Sequence, residues 1–302
     1  MRLLRPAKDM QIKLAKHIGF CFGVKRAVNI AVHTLAGKKN TVYASGPIIH
    51  NPQTVQSLRA KGLKIVKDIN RIKRGTLIVC SHGMGPRILQ RAKKRQLDII
   101  DATCPFVKKV QDIARDLKRN GYHVILVGDK NHPEIKAIKE IVGRDITIIE
   151  DVHSVIKMKS RSKKIGIIAQ TTQRRDNYYR IIEHILKTIF WGINEGFNKI
   201  TLSEVRIFDT ICNATLLRQQ AAKALTKEVD LIFVIGGKMS ANTTRLAQIC
   251  CMSGVRTYHI ERAEEIKESW LKGVKKIGIA SGTSTPKQII NAVVEKLKNN
   301  NF

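Results

Sequence analysis

Aromatic side chains are scarce in this sequence: Phe, Tyr and Trp together make up 5% of 302 residues. Stacking bases on exposed rings, the usual way to hold a single-stranded nucleic acid, therefore has little to work with. Long apolar runs are missing too, and none approaches the ~20 residues a membrane-spanning helix needs. The opening segment Met1-Arg-Leu-Leu-Arg-Pro-Ala-Lys-Asp9 lacks the apolar core of a signal peptide, so the expected location is the cytoplasm. No Cys-x-x-Cys pair occurs, which excludes a zinc ribbon or a thioredoxin motif. Gly236-Gly-Lys238 lacks the spacing of a P-loop. In a reducing compartment the six cysteines are expected as free thiols or metal ligands, not disulfides.

Acidic residues are in short supply as well. Asp and Glu number 24 against 55 Lys and Arg, a formal charge of +31. Phosphate neutralisation is the first reading of such a balance, and it defines the alternative of a basic nucleic-acid-binding protein with structural or redox-sensing cysteines. The charge, however, is spread from Arg2 to Lys298 with no tail, basic helix or nucleic-acid-binding motif. A general lysine-rich bias accounts for it without a nucleic-acid partner, and a basic surface also steers acidic proteins and anionic substrates.

What is present is a repeated alternation of short apolar runs and amphipathic stretches, the pattern of βα units with parallel sheets. Strands are expected at 76–80, 123–127, 164–168, 230–235 and 276–280, and helices at 105–118, 215–229 and 286–297. Each strand runs directly into small polar residues, and open α/β sheets bind ligands beyond the carboxyl ends of their strands. Breaks near 101–105 and 198 divide the chain into α/β domains at 12–104, 105–198 and 199–284, with 285–302 packing on the first.

Three cysteines stand in marked local settings: Gly19-Phe-Cys-Phe-Gly-Val24, Asp101-Ala-Thr-Cys-Pro105 and Cys212-Asn-Ala-Thr215. Three thiolates on a metal centre leave one coordination position for substrate, and thiolates without a His-x-x-x-His set favour iron–sulfur over zinc. Cys80, Cys250 and Cys251, in apolar surroundings, read as core residues. His132-Pro-Glu134 follows a strand, where burial would make Glu134 a general acid. His50 and His82, with Ser240, Asn242 and Ser284, can donate hydrogen bonds to phosphate oxygens.

These motifs, together with His50-Asn-Pro52, Ser81-His-Gly83, Gln170-Thr-Thr172 and Ser240-Ala-Asn-Thr243, occur in an order that closely resembles the 4-hydroxy-3-methylbut-2-enyl diphosphate (HMBPP) reductase family, IspH/LytB. The resemblance spans roughly residues 12–297. It implies three similar α/β domains with parallel sheets in pseudo-threefold arrangement around one 4Fe–4S cluster held by Cys21, Cys104 and Cys212, with one iron open. It also implies that His50, His82 and His132 line the substrate pocket. Ser240, Ala241, Asn242 and Ser284 fall on the diphosphate-holding positions, Thr171 on the residue that orients the substrate, and Glu134 on the proton route. The implied reaction, the last step of non-mevalonate isoprenoid synthesis, removes a hydroxyl as water with two electrons, giving isopentenyl and dimethylallyl diphosphate. Reduced ferredoxin or flavodoxin, both usually acidic, is the electron donor expected from the basic charge alone. An iron–sulfur reductase of another substrate is the second alternative. Two departures stand out: Ala241 replaces a second serine of some relatives, and the segment after Glu134 lacks glycines common there.

Overall fold

The computed structural model describes residues 10–37, 40–155, 162–191 and 202–299. The expected break near residue 198 and the last three residues of the Asn-rich end lie outside them. In chain order the elements are β1 (Gln11–Leu14), α1 (Phe22–Gly37), β2 (Val42–Ala44), α2 (Pro52–Ala60), β3 (Lys64–Ile65), β4 (Thr76–Val79), α3 (Pro86–Lys94), β5 (Asp98–Asp101), α4 (Pro105–Arg119), β6 (His123–Val127), α5 (Pro133–Val142) and β7 (Ile146–Ile149). They continue with β8 (Lys164–Ala169), α6 (Arg175–Trp191), β9 (Glu204–Ile207), α7 (Asn213–Leu225), β10 (Leu231–Ile235), α8 (Ala241–Met252), β11 (Arg256–Ile260), β12 (Lys276–Ser281) and α9 (Lys287–Asn299). No helix among the described residues is long and apolar enough to cross a membrane.

The strands form three four-stranded sheets, β3-β2-β4-β5, β7-β6-β8-β9 and β1-β12-β10-β11, every pairing parallel. Read from the first strand of each, the order is the same three times. The second strand lies to one side of the first, and the third and fourth to the other. In the last sheet the fourth place is taken by β1, from the opposite end of the chain. Residues 12–14, grouped by sequence with the first piece, thus hydrogen-bond to β12, with Ile12 beside Ile277 and Leu14 beside Ile279. Helix α9 packs through Ile290, Val293 and Leu297 against Leu231, Phe233, Ile277 and Ile279 of that same sheet.

Tertiary contacts divide the chain into two compact units. One comprises residues 1–25, 49–57 and 213–302 and contains the sheet β1-β12-β10-β11; the other comprises 26–48 and 58–212 and contains the remaining two sheets. In the first unit apolar clusters cover both faces of the sheet, one with α9 and one built from Ala222, Leu225, Ile232, Val234, Leu246 and Cys250. In the second, β6 and β8 are covered on one face by α6 and on the other by α4 and α5. Two-sided burial explains why β4, β6, β8, β10 and β12 read as continuous apolar runs. The outer strands β1, β5 and β9 are half-exposed, and their mixed sequences carry no such signal.

Close packing of helix on strand is sharpest at Gly166 in β8. A Cβ there would lie 2.5 Å from Cδ2 and 3.0 Å from Cγ of Leu117, itself fully buried in α4. Gly166→Ala is expected to destabilise the protein by about 1–3 kcal/mol through overpacking. Chemical denaturation checks this, with a lowered midpoint and unchanged slope as the expected result.

Candidate active site

The three-fold repetition of strand order places the cysteines. Cys21 follows β1, Cys104 follows β5 and Cys212 follows β9, so each comes after the fourth strand of its sheet. Each immediately precedes a helix: α1, α4 and α7. Each donates its backbone N–H to a carbonyl in the loop after the third strand: Cys21 to Thr283, Cys104 to Ser81 and Cys212 to Thr171, all at 2.9 Å. A helix N-terminus carries partial positive charge and favours an anion beside it, and all three thiols sit at such an end. All three are half-buried. Cys80 and Cys250, by contrast, are core residues whose thiols burial pushes up to about 12. Cys251, expected in the core, faces solvent from α8.

Two arginines steady the cysteine loops, and neither is marked by a motif. Arg218 of α7 is buried and donates from Nη2 to the Gly19 carbonyl at 2.7 Å, while Ser281 Oγ accepts from Gly19 N–H. Gly19 needs its lack of a Cβ, because its φ is +81°. Within the other unit, Arg26 Nη1 donates to the Thr103 carbonyl, one residue ahead of Cys104. The only sequence hint is position, with each arginine five or six residues beyond a cysteine, one and a half turns into the helix that follows it.

The 213–302 unit gathers His50, Ser240, Ala241, Asn242 and Ser284 around the start of α8. Ser240 caps the helix, its Oγ accepting from Thr243 N–H at 3.4 Å. Ser284 Oγ donates to the His50 carbonyl at 3.1 Å, and Gly237 lies so close to that carbonyl that a Cβ would meet it at 2.8 Å. Asn242 is 3% exposed, yet neither its Nδ2 nor its Oδ1 has a hydrogen-bond partner. A buried amide without a partner at a helix N-terminus suits an anionic group, because leaving it unsatisfied costs about 1–3 kcal/mol. Burial also lowers the pKa of His50, which favours the neutral ring.

The 58–212 unit brings together His82, His132, Glu134 and Thr171. Glu134 opens α5 with 1% exposure, its carboxylate accepting from Thr171 N–H at 2.9 Å and Thr171 Oγ1 at 2.8 Å. His132 caps the same helix: its Nδ1 accepts from Glu134 N–H at 3.2 Å, which leaves the ring proton on Nε2. The His82 and His132 rings meet edge to face, centroids 5.3 Å apart. Desolvation drives the Glu134 carboxyl up to about 7, against the opposing pull of the two Thr171 hydrogen bonds.

Residues 12–298 match the family described as LytB protein. The chain belongs to that family. Among LytB relatives it is 42% identical over 289 residues to the 4-hydroxy-3-methylbut-2-enyl diphosphate reductase of Geobacter sulfurreducens, covering 96% of this chain and 97% of that one. It is 44% identical over 289 residues to the enzyme of the same name from Syntrophotalea carbinolica, covering 95% and 98%. The solved Plasmodium falciparum E-1-hydroxy-2-methyl-but-2-enyl-4-diphosphate reductase aligns with a TM-score of 0.88 at 30% identity, over 97% of this chain and 90% of that one. A second solved LytB-type structure, of (E)-4-hydroxy-3-methyl-but-2-enyl diphosphate reductase, described as the terminal enzyme of the non-mevalonate pathway, aligns at 0.68 with 39% identity, over 96% and 99%. The nucleic-acid-binding alternative finds no support in these likenesses.

The buried Glu134 has a measurable consequence for stability. Its folded pKa is raised above the ordinary 4.5, so its protonated form contributes stability that is full below about pH 4.5 and lost as pH rises through about 7. Gln is isosteric and can still accept from Thr171 N–H. Glu134→Gln is therefore expected to match the wild type at pH 4.5 and to exceed it at pH 8 by up to about 3 kcal/mol. Thermal unfolding at the two pH values checks this; a variant equally stable relative to wild type at both would show that the carboxyl is not raised.

Proposed function

We propose that the chain reduces 4-hydroxy-3-methylbut-2-enyl diphosphate to isopentenyl and dimethylallyl diphosphate, the last step of the non-mevalonate route, as an iron–sulfur oxidoreductase. The observation that carries this reading is the repeated cysteine position: fourth strand, thiol, helix, with the same N–H to carbonyl bond each time. Three half-buried cysteines at helix N-termini suit a 4Fe–4S cluster with Cys21, Cys104 and Cys212 as its ligands. When bound, the cluster supplies single electrons and a Lewis-acidic iron at its open corner.

The chain's own residues do the rest. The α8 N-terminus with Ser240, Asn242 and Ser284 holds the diphosphate, and Ala241 contributes its backbone N–H in place of a hydroxyl. Binding energy from this unreactive end orients the allylic C–O bond. His50, His82 and His132 line the pocket, His132 presenting its Nε2 proton. Glu134, half-protonated near pH 7, holds its proton on Oε2 against Thr171 Oγ1, whose hydroxyl hydrogen is then free to be passed on. With two electrons supplied, the allylic C–O bond breaks as the hydroxyl takes up a proton and departs as water, and a second proton on the allylic carbon gives the product alkene. A carboxyl tuned by burial alone suits this task, because it recovers its proton near neutral pH.

The electron donor in this reading is an acidic ferredoxin or flavodoxin, for which a chain of charge +31 is a favourable partner. In this reading the protein works in the cytoplasm, where thiols stay reduced.

The first experiment is HMBPP-dependent oxidation of a reduced viologen by protein purified and reconstituted without oxygen. Turnover is expected. Iron- and sulfide-replete protein without turnover would leave the fold standing and remove the substrate. Glu134→Gln should lose nearly all turnover with an unchanged cluster spectrum, and turnover by the wild type should fall as pH rises above about 7. Cys21→Ser, Cys104→Ser and Cys212→Ser should each damage the cluster, whereas Cys80→Ala should leave it intact, as iron content and absorbance will show.

A further inference from the structure

Helix α3 has no cap of its own. It begins at Gly85 with no side-chain hydrogen bond, has no acidic residue in its first turn, and ends on Arg91, Lys93 and Lys94. Such a helix leaves its N-terminal N–H groups and its positive dipole end unanswered. The answer comes from Glu140, a residue of α5. Its Oε1 accepts from the backbone N–H of Arg87 at 2.7 Å and lies 3.7 Å from the Arg87 Nε. Gly85 has φ −66° and ψ 149°, a conformation open to any residue, so its lack of a side chain is not a backbone requirement. It is a requirement of space: a Cβ at Gly85 would stand 1.6 Å from Oε2 of Glu140. The carboxylate occupies the place where a capping side chain of residue 85 would be.

The two helices joined in this way carry the two sides of the proton-handling site. Helix α3 is the continuation of the loop 80–85, which holds His82 and receives Cys104 N–H on the Ser81 carbonyl. Helix α5 opens with His132 and Glu134. The loop leaves the sheet β3-β2-β4-β5 and α5 leaves β7-β6-β8-β9, so the edge-to-face contact of His82 with His132 depends on holding one sheet's loop against another sheet's helix.

We propose that Glu140 is a positioning residue: by capping α3 from α5 it sets the His82 loop in register with His132 and Glu134. The catalytic part of this inference rests on the reading above; the cap does not. Removing the carboxylate frees the start of α3 and lets His82 drift from His132, and a displacement of that kind lowers transition-state stabilisation more than fold stability.

The test is a set of four variants, Glu140→Ala, Glu140→Gln, Gly85→Ala and the double Gly85→Ala/Glu140→Ala. In the apoprotein, thermal unfolding reads the cap. Gly85→Ala should lose about as much as Glu140→Ala, because the added methyl group pushes the flexible Glu140 carboxylate off its place, and the double variant should be no worse than either single variant. Strictly additive effects would overturn the cap. Histidine ring signals in 15N NMR of the apoprotein read the positioning without substrate: the His82 and His132 signals should move in Glu140→Ala and stay in Glu140→Gln. Unmoved signals in Glu140→Ala would overturn the proposal. In reconstituted enzyme, well below the unfolding temperature and at equal iron content, kcat/KM of Glu140→Ala should fall by about tenfold or more, mostly in kcat, with Gln restoring most of it. An unchanged kcat/KM in Glu140→Ala would likewise sink it. A wild type that fails to turn over HMBPP would instead count against the functional reading, with the unfolding and NMR results deciding the positioning on their own.

Discussion

One backbone hydrogen bond, made three times, organises this protein: the N–H of a cysteine given to the carbonyl of the loop beside it. It ties the end of a fourth strand to the end of a third, and so sets each thiol at the head of a helix. Parallel strands make it possible, because every carboxyl end in a parallel sheet opens on the same edge. The bond would mean little at an exposed loop. Here it is backed by buried Ser281 and Arg218 at the Gly19–Cys21 loop and by half-buried Arg26 at the Thr103–Cys104 loop. The cysteine backbones are thus held by the fold itself, and under the proposed reading that lowers the ordering cost of binding a metal centre.

The loops after the first and third strands then carry the remaining chemistry. His132 and Ser240 both follow a first strand and both cap the helix that comes next, yet they serve different ends. At His132 the cap is an imidazole whose acceptor nitrogen is taken up locally, leaving a donor on the other side of the ring. At Ser240 the cap precedes a buried amide at the helix N-terminus, a place suited to negative charge. A common geometry carries a buried imidazole and carboxyl in one unit and a buried hydroxyl and amide in the other, through different residues at the same structural position. The fold supplies the positions and the side chains supply the reaction.

Glu134 illustrates the energetic tension in such a site. A buried carboxylate is costly, and the Thr171 hydrogen bonds offset only part of that cost. The residual penalty is what keeps a proton on the group near neutral pH. Stability given up here is sustained by the largely buried strands β6, β8, β10 and β12 and their two-sided apolar layers. The surface ion pairs contribute little, being largely exposed.

Sequence alone determined a good deal about this protein. The five central strands were legible because burial on both faces demands uninterrupted apolar runs, and the cysteine, histidine and serine motifs were legible because glycine, proline and threonine mark the loops that hold them. Other features had no local signature. The outer strands β1, β5 and β9 are half-exposed and compositionally mixed, so only pairing reveals them, and β1 joins a sheet whose other strands lie more than two hundred residues away. Cys251 looked apolar by its neighbours, but a helix turns successive residues through about 100°, which put it outside while Cys250 stayed in the core. Arg218, Arg26 and Glu140 are ordinary charged residues in sequence; their roles arise from carbonyls and amides that are distant in the chain and come within reach only when the sheets and helices are packed.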